Sequence, residues 1–164
     1  MSIFSKSLEI RRAQPEDLAE VLRIERAVPE APHWGEPVYR DILLQEPGEI
    51  KLNRALFVAG DGKRIVGFAV AAVVADQAEL ESIAVDPERR RLGVGGALSG
   101  AVILWGRQAG AREMLLEVRS ANAEARALYD RLGFKETGLR RGYYSDPPDD
   151  AVLMSVSLSN AADL

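Results

Sequence analysis

Residues 83–96 read Ile83-Ala84-Val85-Asp86-Pro87-Glu88-Arg89-Arg90-Arg91-Leu92-Gly93-Val94-Gly95-Gly96, a β-rich segment running into three arginines and three glycines ahead of a helical stretch. Glycines let successive backbone N–H groups converge, a helix start adds partial positive charge, and arginines raise the local potential. Together they make an anion cradle that suits a diphosphate. A lone Gly-x-Gly reads as a turn and lone arginines as a solvated face; their combination after a strand is what points to a ligand. A dinucleotide fingerprint is a poor fit, because Leu98 occupies its third small position and seven residues, one of them proline, separate Val85 from Gly93. A P-loop is excluded, since no Gly-Lys-[Ser/Thr] follows the glycines.

Further on stands Leu116-Glu117-Val118-Arg119-Ser120-Ala121-Asn122, followed by Tyr129 within a helical pattern. Glu117 interrupts the apolar run Met114 to Val118, and a carboxylate at a strand end among apolar neighbours is where desolvation raises basicity toward the working pH. It is a candidate general base. Tyr129 borders the apolar face of its helix, so core packing and chemistry both suit it. Asn122 is a good helix N-cap, a role compatible with touching a ligand.

These groups must be held by the surrounding elements. Leu8 to Arg12 reads as a strand; Pro15, Glu16 and Asp17 open a helix continued by Leu18, Val21, Leu22, Glu25 and Val28. Three prolines, a glycine, His33 and Trp34 make 28–37 a loop, before a short helix around Val38 to Gln45 that ends near Pro47 and Gly48. Ala55 to Ala59 and Ile65 to Val74 form a hairpin about Gly60-Asp61-Gly62-Lys63, and Glu79 to Val85 adds a third strand. A helix over Gly95 to Gln108, a strand over Met114 to Val118, a helix over Ala123 to Leu132 and a closing strand over Ala151 to Leu158 complete the order. The expected fold is an α/β single domain spanning 1–164 with its core in 8–158, built on a mixed sheet that contains one parallel strand–helix–strand crossover. Ligands of such sheets bind at the carboxyl ends of strands, here after Val85 and Val118.

Composition narrows the chemistry further. The chain has 164 residues, 47% of them apolar, no cysteine and one histidine, His33. Disulfides, thiolate nucleophiles and Cys- or multi-His metal sites are thereby excluded, and no metal is expected. A net charge of −4 lacks the footprint of a nucleic-acid binder. With no long apolar run and no leader-like start, the expected location is cytoplasmic, with neither membrane nor direct nucleic-acid partner.

The Arg90-x-x-Gly93-x-Gly95 pattern after Ile83-Ala84-Val85-Asp86-Pro87 resembles the acetyl-CoA motif of the GNAT acyltransferase superfamily, a likeness that runs from Leu8 to about Leu158. The resemblance implies a GNAT-like, mostly antiparallel sheet flanked by helices, with acetyl-CoA as co-substrate. By it, the backbone of Ile83, Ala84 and Val85 pairs with the pantetheine arm, and the amides of Arg91, Leu92, Gly93, Val94, Gly95 and Gly96 hold the pyrophosphate. The second constellation is most similar to the ribosomal-protein alanine N-acetyltransferases of that superfamily, the RimI type. This implies Glu117 as base, Asn122 as a cofactor contact, Tyr129 as acid, and a protein N-terminus, such as that of a ribosomal protein, as acceptor. Ser120-Ala121-Asn122 departs from the usual form of that group by moving a hydroxyl one residue.

Other GNAT enzymes carry a catalytic glutamate in the strand before the cofactor loop, which makes Glu81 the rival base. The implied chemistry is direct transfer to a neutral amine; a small amine, a lysine side chain, or acyl-CoA binding without turnover are the alternatives. Tyr129 would then protonate, or hydrogen-bond to, a departing thiolate. His33 reads as a loop residue and Trp34 as a packing anchor, with both also candidates to shape the acceptor mouth. Tyr143 and Tyr144 read as strand-edge aromatics, with Tyr143 also a substrate candidate, and Arg140 and Arg141 as a solvated face.

Overall fold

The computed structural model describes residues 8–45 and 53–159, so Pro47 and Gly48 lie outside the described residues. Among the described residues, seven strands and four α-helices follow one another: β1 (Glu9–Arg12), α1 (Leu18–Ala27), α2 (Glu36–Leu43), β2 (Asn53–Gly60), β3 (Ile65–Val74), β4 (Gln77–Val85), α3 (Val94–Gln108), β5 (Glu113–Arg119), α4 (Ala123–Arg131), β6 (Lys135–Ser145) and β7 (Pro148–Ser157). Single turns of 3-10 helix at Pro15–Asp17 and Pro87–Arg89 precede α1 and the glycine loop. The strands form one sheet in the order β1-β2-β3-β4-β5-β7-β6. Every neighbouring pair is antiparallel except β4 with β5.

β3 is buried along all but its last residue because both its edges are paired and both its faces are covered. On one face α1 and α2 bury Val21, Leu22, Ile24, Tyr39 and Ile42 against Leu56, Val58, Phe68 and Val70. On the other, α3 lays Val94, Leu98 and Val102, spaced by four, against β2, β3 and β4. Gly67 makes that approach possible: a Cβ there would stand 2.9 Å from Val94 Cγ1. The start of α3, where the glycine loop ends, is therefore held firmly on the sheet. Among the described residues, no helix is long and apolar enough to cross a membrane.

The sequence pattern located every element except β6, for which it offers no span. Nearly every β6 residue is exposed and the strand lies at the sheet edge, so no apolar alternation marks it. α2 begins earlier than expected, because Gly35 at φ 83° turns the chain into Glu36 and Pro37.

Asp17 ties α1 to the sheet. Its carboxylate accepts from Arg11 Nη1 at 2.7 Å and Nη2 at 2.9 Å, and from the Gln14 backbone N–H at 2.7 Å. The Arg11 hydrogen bond is the main reason the Asp17 carboxyl lies below its ordinary range. A depressed carboxyl contributes stability above its unfolded pKa, about 3.9, and loses it as pH falls through the folded value. Asp17→Asn is accordingly expected to cost about 1–2 kcal/mol at pH 7, roughly 3–6 °C in melting temperature. Melting curves of both proteins from pH 7 to pH 3 should show the gap closing below about pH 4.

Candidate active site

β4 and β5 pair only from Gln77 opposite Glu113 to Leu80 opposite Leu116, although β4 continues to Val85 and β5 to Arg119. Beyond Leu80 and Leu116 the two strands part, while their outer edges stay paired to β3 and β7. The edge of Ile83–Val85 that faces the slot therefore has no strand partner, and an extended ligand carrying amides can supply one. This slot opens into a cavity of about 780 Å³ that runs from the glycine loop to the β6–β7 hairpin and the 28–34 loop.

At the phosphate end, Arg91 at φ 63° and Gly93 at φ 81° both adopt left-handed backbone, and Gly93 is the N-cap of α3. Gly93 to Gly96 border the cavity, so the first turn of α3, with its unpaired N–H groups and positive dipole end, stands where an anion is favoured. Gly95 has a second duty that the sequence did not disclose: a Cβ there would lie 3.2 Å from Leu128 Cδ2, so it lets α4 close against α3. The arginines act less freely than expected. Arg89 meets Asp61 at 3.6 Å and Arg90 meets Glu30 at 3.7 Å, so part of their charge is spent on carboxylates. Ile83, Ala84, Val85, Arg91, the three glycines and Asn122 all border the cavity. Asn122 also caps α4, its Oδ1 accepting from the Ala125 N–H at 3.2 Å.

Glu117 and Tyr129 stand on opposite faces of the sheet. Leu116, Val118 and Tyr129 belong to the core beneath α3 and α4, so Glu117, between the two β5 residues, points to the α1 and α2 side. Only where the slot opens the sheet do both groups border one cavity. Tyr129 is 4% exposed, with Phe134 edge-on at 5.7 Å, and burial pushes its hydroxyl above the ordinary tyrosine range.

The surroundings of Glu117 differ from the apolar setting the sequence suggested. Arg140 Nη1 lies 3.4 Å from Glu117 Oε1, and Tyr143 donates a hydrogen bond to the same carboxylate. The negative charge of Glu117 and that hydrogen bond raise the Tyr143 hydroxyl. Arg140, expected on a solvated face, is thus a partner of the candidate base, brought there by the pairing of β6 with β7. Tyr144 carries the Arg119 guanidinium over its ring at 4.1 Å.

Glu81 borders the same cavity with both oxygens engaged, accepting from Arg54 Nε and Nη2 at 2.8 Å each. Both oxygens are thus committed to a bidentate contact with Arg54. Ser82 pairs with Val70 and Leu80 with Ala71, so Glu81 is an extra residue on β4, a bulge that sets which face its neighbours occupy. Leu80 lies under α3, which turns Glu79 to the face of Glu117. Part of Glu79 is open to solvent, yet the protein crowding the rest raises its carboxyl, with the like charges of Glu81 and Glu117 adding to the effect. No motif marks Glu79 in the sequence.

The sequence profile of the Acetyltransferase (GNAT) family matches residues 18–134. The [ribosomal protein bS18]-alanine N-acetyltransferase of Escherichia coli K12 is 38% identical over 145 residues, covering 87% of this chain and 93% of that protein. An N-alpha-acetyltransferase of Sulfurisphaera tokodaii is 33% identical over 167 residues, covering 93% and 95%. The crystal structure of the ribosomal-protein-S18-alanine N-acetyltransferase from Escherichia coli superposes with a TM-score of 0.79 at 33% identity, covering 94% of this chain and 96% of that one.

Proposed function

The chain belongs to the acetyltransferase (GNAT) family, and we propose that it transfers the acetyl group of acetyl-CoA to the N-terminal α-amine of a protein, specifically a ribosomal protein that begins with alanine. The observation that carries this reading is the slot where β4 and β5 part, with Glu117 on one face and Tyr129 on the other. The unpaired β4 edge suits the amide-bearing pantetheine arm, and the left-handed loop before α3 suits the pyrophosphate.

Acetyl-CoA supplies an acetyl group activated as a thioester. The chain's own residues place it: Ile83–Val85 bond the arm, the amides of Arg91–Gly96, all but Leu92 bordering the cavity, hold the phosphates, and Asn122 borders the path while it caps α4. From the opposite face of the sheet, Glu117 accepts the proton of the attacking amine, directly or through a water. The new C–N bond forms as the C–S bond breaks, and with direct attack no covalent enzyme intermediate is needed. Tyr129 contributes a hydrogen bond to the departing sulfur. Its hydroxyl is raised above about 10 while a thiol lies near 8.5, so full proton donation runs uphill.

An α-amine with a pKa near 8 suits a single carboxylate base. At neutral pH its neutral fraction exceeds that of a lysine ε-amine, of pKa about 10.4, by a few hundredfold. The direct test follows free thiol release with acetyl-CoA and a panel of acceptors: peptides with a free N-terminal alanine, the same peptides N-blocked and carrying an internal lysine, and small polyamines. Turnover confined to the free N-terminal peptides supports the proposal. Turnover with blocked peptides or with polyamines alone overturns it.

A further inference from the structure

A buried carboxylate on α1 has no part in the chemistry described above. Glu25 is 3% exposed and lies on the same helix face as Val21 and Leu22, where an apolar residue would serve packing better. The donors that meet it are all neutral. The Trp34 N–H bonds Oε2 at 3.1 Å, the Gly35 N–H bonds Oε1 at 3.2 Å, and the Tyr39 hydroxyl also donates to Oε2. All three belong to one stretch, the end of the 28–35 loop and the first turns of α2. Its backbone is bent on both sides of Trp34, with Gly35 at φ 83° and His33 at φ 54°, the latter a conformation that a non-glycine residue keeps only where its surroundings hold it.

What the carboxylate holds is a wall of the cavity. Trp34 borders it, packed against Tyr39 with ring centroids 5.9 Å apart, and Tyr39 in turn meets Phe68 edge-on at 5.6 Å. Arg54 lies over the Trp34 ring at 5.5 Å and carries Glu81 in its fork. The chain of contacts thus runs from Glu25 through Trp34 and Arg54 to Glu81, on the α1 and α2 face of the sheet where Glu117 waits. The glycine loop and Tyr129 lie outside it.

We propose that Glu25 is a positioning residue for the acceptor: by gathering the Trp34 and Gly35 amides and the Tyr39 hydroxyl, it fixes the Trp34 wall against which the acceptor's N-terminal segment docks. This rests on the N-terminal acetyltransferase reading given above. Glu25→Gln keeps the shape but turns an NH₂ donor toward donors, so the loop must release at least one of them. With a peptide carrying a free N-terminal alanine, KM for the peptide should rise about 10-fold or more, while kcat stays within about threefold and acetyl-CoA affinity is unchanged. Trp34→Ala should raise the same KM, and the double variant should be no worse than the stronger single one, because both act through one wall.

A second readout requires no acceptor. The chain has two tryptophans, so in a Trp105→Phe background Trp34 is the sole indole. Adding Glu25→Gln should increase acrylamide quenching of its fluorescence severalfold, and acetyl-CoA should still bind. Tyr39→Phe, which removes one donor and keeps the ring, should move both readouts the same way by less, and decides the matter if Glu25→Gln does not fold. Unchanged quenching, a parallel loss of acetyl-CoA affinity, a fall in kcat instead of a rise in KM, or KM effects of Glu25→Gln and Trp34→Ala that multiply would each overturn the proposal. If the wild type acetylates none of these peptides but Trp34 still loosens in the variant, the acceptor assignment fails while the Glu25 clamp stands.

Discussion

Glu117→Gln is expected to slow acetyl transfer by about 100-fold to 10,000-fold, the range by which a positioned general base contributes, with acetyl-CoA affinity close to wild type. The amide keeps a carbonyl oxygen for Arg140 and Tyr143 and loses only the capacity to take a proton. The defect should depend on pH in a definite direction. Below about pH 8 most of an α-amine is protonated and must lose its proton on the enzyme, whereas above it the amine arrives neutral and asks less of a base. The ratio of wild-type to variant rate should therefore narrow as pH rises through 8. Tyr129→Phe, which removes a hydrogen bond to sulfur and leaves the ring on Phe134, should slow turnover without that narrowing. Two controls decide where the base sits. Glu81→Gln should lack the pH signature because its parent carboxylate is occupied by Arg54. If Glu81→Gln or Glu79→Gln shows the narrowing collapse and Glu117→Gln does not, the base belongs on β4.

Gly93→Val should weaken acetyl-CoA binding by about 100-fold or more, whereas Arg89→Ala should change it by no more than about threefold. Loss of two charge-assisted amide contacts accounts for the first figure. The second follows because the Arg89 guanidinium is exposed and already engaged by Asp61. At φ 81° a β-branched residue is strongly disfavoured, so valine must move the loop that aims the N–H groups of the first α3 turn. Gly93→Ala isolates that cause: its Cβ would meet nothing within 4 Å, so whatever binding it loses is due to backbone strain alone. Calorimetric titration with acetyl-CoA measures all three, and melting curves confirm folding. Equal losses for Gly93→Val and Arg89→Ala, or normal binding by a folded Gly93→Val, would show that side chains rather than backbone amides hold the phosphates.

Local pattern was sufficient for much of this molecule. The breakers at Gly60 to Lys63 and Gly110, the fourfold spacing of Val94, Leu98 and Val102, and the continuous apolar run of β3 each specify an element through neighbours a few residues away. The glycine loop and the Glu117, Asn122 and Tyr129 constellation were legible for the same reason, since each lies within one short junction between consecutive elements. What the sequence alone determined, then, is the element order apart from β6, the glycine loop and the identity of the groups that could do chemistry.

The tertiary structure decided how those groups meet, because pairings between distant strands leave no periodic trace along the chain. Arg54 reaches Glu81 across 27 positions, and Arg140 reaches Glu117 because β7 lies between β5 and β6. Glu25 reads in the sequence as one more residue on an amphipathic helix, and only the fold brings the Trp34 and Gly35 amides to it. One extra residue in β4, Glu81, decides how Glu79 stands relative to Ser82–Val85, since side chains alternate along a strand and a bulge reverses every later one. The slot itself exists because β4 and β5 pair over four residues and then separate, leaving Glu117 and Tyr129 on opposite faces of the sheet with one opening between them.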